Sequence, residues 1–225
     1  MKGKVILVTG ANGALGSAVV QHLLERGATV AGTARNANQF LPANPNFSPI
    51  FADLASSAGA NETVNAVLGR SSKIDGLVHT VGGFAFGGLR EMPEQEWRRL
   101  CDENLNSAYY LLHAALGPMR ERRHGRIVMI GSLAAAQPQA NLSSYVATKA
   151  ALHALVQSAA LENAEFGITI NAILPATIDT PANRAAMPTA DPAKWVSPAK
   201  LAMLCAQLLA DPDGNLTGAL LPVEH

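Results

Sequence analysis

Short apolar runs rich in Val and Ile alternate along the chain with longer stretches in which apolar residues recur every three or four positions. The short runs, at Lys4–Thr9, Thr29–Thr33, Ser48–Ala52, Gly76–Thr80, Arg126–Ile130, Thr169–Leu174 and Ala219–Val223, predict seven strands. The longer stretches predict helices over Leu15–Arg26, Asn61–Leu68, Glu94–Arg122, Ser144–Glu165 and Pro198–Leu209, and Gly27, Gly69, Gly125 and Gly167 stand where helices should stop. Strands that are apolar throughout are strands covered on both faces, so the alternation predicts a doubly wound α/β domain around a mostly parallel seven-stranded sheet. A chain of 225 residues suits one such core, and a single domain over residues 1–225 is expected. Thr177–Ser197 breaks the rhythm with Pro181, Pro188 and Pro192. It follows the C-terminal end of the sixth strand, where open α/β sheets bind ligands, so residues 177–197 are expected to form a lid.

Charge and composition narrow the partners. Lys plus Arg balance Asp plus Glu at 17 each, with neither sign gathered in long blocks, which gives no footprint for nucleic acid or an anionic membrane. The basic cluster Arg120, Arg122, Arg123, His124 and Arg126 is short, lacks interleaved aromatics and falls at a helix end, where cations are favourable anyway. Cys101 and Cys205 have neither disulfide nor zinc spacing, so reduced thiols, a cytoplasmic location and no metal site are expected. The apolar run after Met1-Lys2-Gly3-Lys4 is too short for a signal peptide and reads as the first strand. No apolar stretch approaches the roughly 20 residues needed to cross a bilayer.

Local motifs carry the chemistry. The first strand runs into Thr9-Gly10-Ala11-Asn12-Gly13-Ala14-Leu15-Gly16 and then a helix. Such a turn lets backbone N–H groups and the positive end of the helix dipole meet a pyrophosphate, which makes it a candidate dinucleotide cradle of the Rossmann type; a tight turn without a ligand is the bland alternative. Tyr145 and Lys149 stand four apart with helical periodicity and share a face, and Ser132 follows the fifth strand. Hydride arriving at a carbonyl carbon leaves charge on oxygen, which needs a proton donor and a second hydrogen bond. A phenol is a poor donor at neutral pH unless a nearby ammonium lowers its pKa, and Lys149 is placed to do that.

The glycine turn, Asn104, Ser132, Tyr145-x-x-x-Lys149, and Pro175 with Thr180 resemble, in order and spacing, the short-chain dehydrogenases/reductases, and the resemblance spans essentially the whole chain. It implies an NAD(P)(H)-dependent oxidoreductase acting on a small carbonyl or alcohol, as a homodimer or homotetramer with the helices near Asn104 and Tyr145 at the interface. Tyr145 would be the general acid/base, Ser132 would hydrogen-bond the substrate oxygen, Lys149 would bind the nicotinamide ribose and lower the tyrosine pKa, and Asn104 would hold a water in a proton relay. Cofactor contacts would fall on Gly10, Asn12, Gly13, Ala14, Leu15, Gly16, Arg35, Asp53, Leu54, Val81, Gly82, Tyr145, Lys149, Pro175, Thr177, Ile178 and Thr180. For Asp53 a place beside the adenine and an ordinary strand-end role are both open.

The chain departs from the main branch of that family at Ala14, where the middle glycine of T-G-x-x-x-G-x-G is expected, and at His79-Thr80-Val81-Gly82-Gly83, where Asn-Asn-Ala-Gly is usual. His79 at a strand end is expected to be structural. The run Gly82–Gly88 and the segment Leu174–Arg184 with Met187-Pro188 and Trp195 resemble dihydropteridine reductases, so reduction of a quinonoid pterin is an alternative, although those enzymes generally lack the serine kept here as Ser132. A third reading is a sensor that holds a dinucleotide without turnover. At the end of the second strand, Gly32-Thr33-Ala34-Arg35-Asn36 has no acid for a ribose 2′-hydroxyl and one arginine for a 2′-phosphate, which favours NADP(H) and leaves NAD(H) possible. Glu94, Glu96, Arg98 and Arg99 read as exposed helix charges, with Trp97 and Leu100 on the apolar face.

Overall fold

A computed structural model describes residues 1–36 and 43–224. Its sheet contains β1 (Val5–Thr9), β2 (Thr29–Ala34), β3 (Phe47–Phe51), β4 (Gly76–His79), β5 (Gly125–Ile130), β6 (Ile168–Pro175) and β7 (Leu220–Val223). They lie in the order β3-β2-β1-β4-β5-β6-β7, and all neighbours are parallel. Every residue of β1, β4, β5 and β6 is buried, because helices cover both faces. One face packs on α1 (Ala14–Glu25) and α8 (Pro198–Ala210), through Val19, Val20, Leu23, Leu201, Cys205 and Leu209. The other packs on α2 (Ser57–Ser71), α4 (Ser107–Glu121) and α6 (Ser143–Asn163), through Val64, Val67, Leu111, Leu112, Met119, Leu152 and Val156. From β1 the chain goes outward to β2 and β3, then returns to place β4 on the other side of β1. That reversal opens a crevice at the C-terminal ends of β1 and β4.

The seven strands fall where the apolar runs predict them, with ends shifted by a residue or so. The helices differ more. The stretch predicted as one helix over Glu94–Arg122 is α3 (Glu94–Cys101), a π-helical turn over Asp102–Asn106 in which the Ser107 N–H reaches the Asp102 carbonyl, and then α4. One extra residue in a turn barely disturbs apolar periodicity, so the pattern does not reveal it. Neither Gly69 nor Gly125 ends a helix. Gly69 lies inside α2, and Ser72, with φ of 55°, takes the left-handed C-terminal position, its N–H on the Leu68 carbonyl. Gly125 opens β5, and Arg123 has the positive φ, 49°. Arg126 leaves the basic cluster altogether: it is buried and donates to the carbonyls of Gly125, Gly167, Asp211 and Pro212. Trp97 is 41% exposed while Leu100 is fully buried, so only Leu100 belongs to the apolar face of α3.

Within 177–197 the chain forms α7 (Pro181–Ala186), capped by Thr180, and a short 3-10 turn at Pro192–Lys194. The segment closes on itself where Ile178 pairs with Val196, whose buried side chain joins the α1/α8 core. Among the described residues no helix is long and apolar enough to cross a membrane.

His79 ties three elements together at the crevice. Its Nδ1 lies 2.9 Å from Thr9 Oγ1 and its Nε2 3.2 Å from Ser107 Oγ. Burial, aided by the charge of Lys149, pushes its pKa down from 6.5 to about 3.

Two outcomes follow for stability. Gly69 is exposed in a helix interior with open space where a methyl would go, so Gly69→Ala should stabilise the fold by about 0.5–1 kcal/mol in urea denaturation; a loss of stability would contradict its place in α2. His79 is neutral when folded but takes a proton below pH 6.5 when unfolded, so stability drains away as pH falls from 6.5 toward about 3. A single site of this kind contributes at most ~1.4 kcal/mol per pH unit. Replacing it, His79→Asn, should flatten the dependence of unfolding free energy on pH between 6.5 and 4, and an unchanged slope would mean that His79 is not held neutral.

Candidate active site

The crevice is a cleft of about 870 Å³ floored by the glycine turn. The turn is tight for a reason: Gly10 has a φ of 64°, and a Cβ on Gly16 would overlap the Gly10 carbonyl oxygen. Both constraints bring the start of α1 against the end of β1. The residue before α1, Gly13, provides no side-chain cap, which leaves the first N–H groups of the helix directed at the cleft for an anion to meet. Ala14, in place of a glycine, is the first helical residue, and its methyl is exposed rather than wedged against backbone. These features fit a dinucleotide pyrophosphate.

Of the residues expected to hold a cofactor, Gly10, Asn12, Gly13, Ala14, Leu15, Gly16, Arg35, Asp53, Leu54, Val81, Gly82 and Thr180 line this cleft. Tyr145, Lys149, Pro175, Thr177 and Ile178 do not. Pro175 ends β6, the Thr177 carbonyl accepts from the Val196 N–H, and the Ile178 carbonyl accepts from Asn183 Nδ2. Asp53 Oδ1 accepts from the Ala55 N–H at 3.0 Å, an ordinary strand-end turn, while its residue still borders the cleft.

Beyond the Gly82 wall lie the groups expected to do chemistry. A Cβ on Gly82 would stand 3.1 Å from Lys149 Nζ and 3.0 Å from Asn104 Oδ1, so the bare backbone there lets both approach the cleft. The Tyr145 phenol and the Ser132 side chain are neighbours at the end of β5. Burial raises the Tyr145 pKa, and the neighbouring Ser132 side chain offsets part of that rise. The charge of Lys149 does not figure among the causes, contrary to the expectation that it depresses the tyrosine. Lys149 is buried with its Nζ donating to the Ile130 carbonyl at 2.9 Å, and that burial brings its pKa from 10.5 down to about 8. Asn104 is buried in the π-helical turn: Oδ1 accepts from the Gly83 N–H at 2.9 Å, and Nδ2 donates to the Gly83 carbonyl and Thr148 Oγ1, each at 3.0 Å. Its side chain thus clamps the β4 loop to α6.

Several residues that sequence reasoning passed over also belong here. His153, one turn beyond Lys149 on the Tyr145 face of α6, accepts the Ser132 backbone N–H on Nε2 at 3.3 Å. Its spacing of four from Lys149 was the available signal. Phe84 lies 5.0 Å from Tyr145, ring centre to centre and edge to face, with more than half of its surface exposed. Arg99 and Glu103, read as part of a solvated helix face or not singled out, line the cleft beside Arg35. Glu94 and Arg98 do form the expected exposed pair. Among the described residues, no three or more His, Cys, Asp and Glu side chains group as a metal site.

Residues 4–191 match the family model of the short chain dehydrogenases. A relative, the 3-oxoacyl-(acyl-carrier-protein) reductase FabG of Escherichia coli (strain K12), is 33% identical over 190 residues, covering 82% of this chain and 77% of that one. Among solved structures, NAD+-bound xylitol dehydrogenase superposes with a TM-score of 0.90 at 27% identity, covering 99% of this chain and 98% of the other. A short-chain type dehydrogenase/reductase from Mycobacterium ulcerans gives a TM-score of 0.93 at 26% identity, covering 99% and 89%. The strand order, the cleft at its reversal and the match along most of the length agree: this chain belongs to the short chain dehydrogenase family and is a nicotinamide-dependent oxidoreductase.

Proposed function

We propose that the protein interconverts small carbonyl compounds and alcohols, with NADP(H) as the favoured cofactor and Tyr145 as the group that donates or accepts the proton. The observation that carries this reading is that Ser132 neighbours the buried Tyr145 phenol and lowers its pKa, so that the two hydroxyls would be able to share one substrate oxygen. A bound nicotinamide supplies or takes the hydride. The glycine turn would hold the pyrophosphate, and Thr180, which lines the cleft at the near edge of 177–197, would face the nicotinamide end.

The roles of the side chains follow from their chemistry. Burial keeps Tyr145 a phenol, the form that gives up a proton as a carbonyl oxygen gathers charge. Ser132 donates the second hydrogen bond, and its backbone is steadied by His153. Lys149 is cationic below about pH 8 and would bind the nicotinamide ribose. Asn104 holds the backbone of Gly83 and the side chain of Thr148 in place around these groups. A quinonoid pterin would not require the Ser132 hydroxyl, which favours a carbonyl substrate over that alternative. Exposed Tyr109 on α4 and Leu161 on α6 fit a homodimer or homotetramer that pairs those helices, and the free thiols of Cys101 and Cys205 fit a reducing, cytoplasmic setting.

NADP(H) preference rests on Arg35, the only charged residue on the stretch Gly32–Asn36 that ends β2 and enters the cleft.

In Tyr145→Phe, turnover of a ketone with NADPH should fall by about 10²–10⁴-fold while the cofactor dissociation constant stays within a few-fold, because only the proton is lost. Undiminished turnover would remove Tyr145 from the chemistry. Separately, Arg35→Ala should weaken NADPH by about tenfold and leave NADH nearly unchanged, with a smaller effect at high salt because the guanidinium is largely exposed. Equal changes for both cofactors, measured by fluorescence titration, would mean that Arg35 does not meet the phosphate.

A further inference from the structure

The end of β2 has no carboxylate, yet the cleft has one beside Arg35. Glu103 lies in the π-helical turn next to Asn104, and its Oε1 is 3.5 Å from Arg35 Nη1. Its other oxygen is held 2.6 Å from Arg99 Nη1. Arg99 is anchored in turn by Glu96 at 2.9 Å and by the Phe84 carbonyl at 3.1 Å. A Cβ on Gly83 would overlap Glu103 Oε2, so the bare backbone at that position makes the space in which the carboxylate rests. The Glu103 side chain is 21% exposed and that of Arg35 is 80% exposed. The carboxylate is therefore the fixed member of the pair, and the guanidinium is the member that reaches to it.

We propose that Glu103 is a cofactor-selecting residue. It supplies from α4's entry the acid that β2 lacks. Its charge opposes a 2′-phosphate and occupies Arg35, whereas the same oxygen accepts a hydrogen bond from the 2′-hydroxyl of an unphosphorylated dinucleotide. A mobile carboxylate would swing away from an incoming phosphate, but Arg99 holds this one in place. The protein accordingly discriminates between NADPH and NADH less than Arg35 alone would allow. The inference rests on the reading that the 2′-position of the ribose lies near Arg35.

Dissociation constants for NADPH and NADH, measured by fluorescence titration at low and high salt, test it without reference to turnover. Glu103→Gln keeps the shape and leaves Arg99 its partner Glu96. It should tighten NADPH by about tenfold and weaken NADH a few-fold, with the NADPH gain shrinking at high salt. Glu96→Gln removes the same charge one step farther from Arg35, and it should alter the ratio of the two constants by less than about twofold. The proposal is overturned if NADPH binds Glu103→Gln no tighter than wild type, if both cofactors tighten alike, or if Glu96→Gln changes the ratio as much. Failure of the Arg35 reading shows differently, as an unchanged NADPH/NADH ratio in Arg35→Ala. In the Arg35→Ala background, Glu103→Gln should still tighten NADPH, because the repulsion acts between carboxylate and phosphate directly.

Discussion

Where β4 ends, the buried sheet must finish its hydrogen bonds without water, and His79 is the residue through which they close. The Thr80 N–H donates to Thr9 Oγ1 and the Ser107 hydroxyl to the Glu103 carbonyl. With those hydrogens assigned, the Thr9 hydroxyl is free to donate to His79 Nδ1, and His79 Nε2–H to Ser107 Oγ. Each group then gives one hydrogen and accepts one, which requires a neutral imidazole. A protonated ring would confront the Thr9 oxygen with a second donor and add charge beside Lys149, and its depressed pKa agrees. This relay of hydrogen bonds begins on β1, which leads into the glycine turn, and finishes on the Glu103 carbonyl of the π-helical turn. The floor of the cleft and its far wall are thereby fixed relative to one another.

The π-helical turn decides what that wall presents. Because one extra residue is accommodated there, neighbours in sequence serve opposite purposes: Asn104 points inward to Gly83 and Thr148, and Glu103 points to the cleft and Arg35. Both act on the same short stretch of bare backbone. Asn104 grips Gly83 through its amide, while the missing side chain of Gly83 makes room for Glu103. A larger residue at position 83 would displace the carboxylate and loosen the grip together.

Much of this was legible before any coordinates. β1, β4, β5 and β6 are buried on both faces, and continuous apolar runs are how such strands are written. The glycine turn, Ser132, Tyr145, Lys149 and Asn104 could be singled out because the proposed chemistry asks for particular residue types at set spacings, and the structure gathers them at one end of the sheet. What sequence did not yield depends on contacts between distant segments. Arg99 and Glu103 look like one more pair at helical spacing, and only the approach of Arg35 from β2 brings them into the cleft. Ser72 and Arg123 adopt left-handed backbone that glycine was expected to supply, so Gly69 and Gly125 misled as helix stops. Residues of 177–197 such as Ile178 were read by position; Ile178 pairs with Val196 and packs against the α1/α8 core.

The same accounting of protons explains how the site concentrates its charge. The charge of Lys149 is felt by two histidines, His79 and His153, and both are kept below their ordinary pKa by burial and by that ammonium. His153 uses its unprotonated Nε2 to accept the Ser132 N–H, and His79 uses its unprotonated Nδ1 to accept from Thr9. Were either to take a proton, it would lose that bond and place a second positive charge beside Lys149, pushing the lysine further toward its neutral form. Lys149 therefore has two neutral rings within reach of its charge rather than two further cations. Since Lys149 already stands near pH 8, a neighbouring positive charge would cost the site its cation at neutral pH. Holding both histidines neutral is what lets the buried Lys149 remain charged at neutral pH.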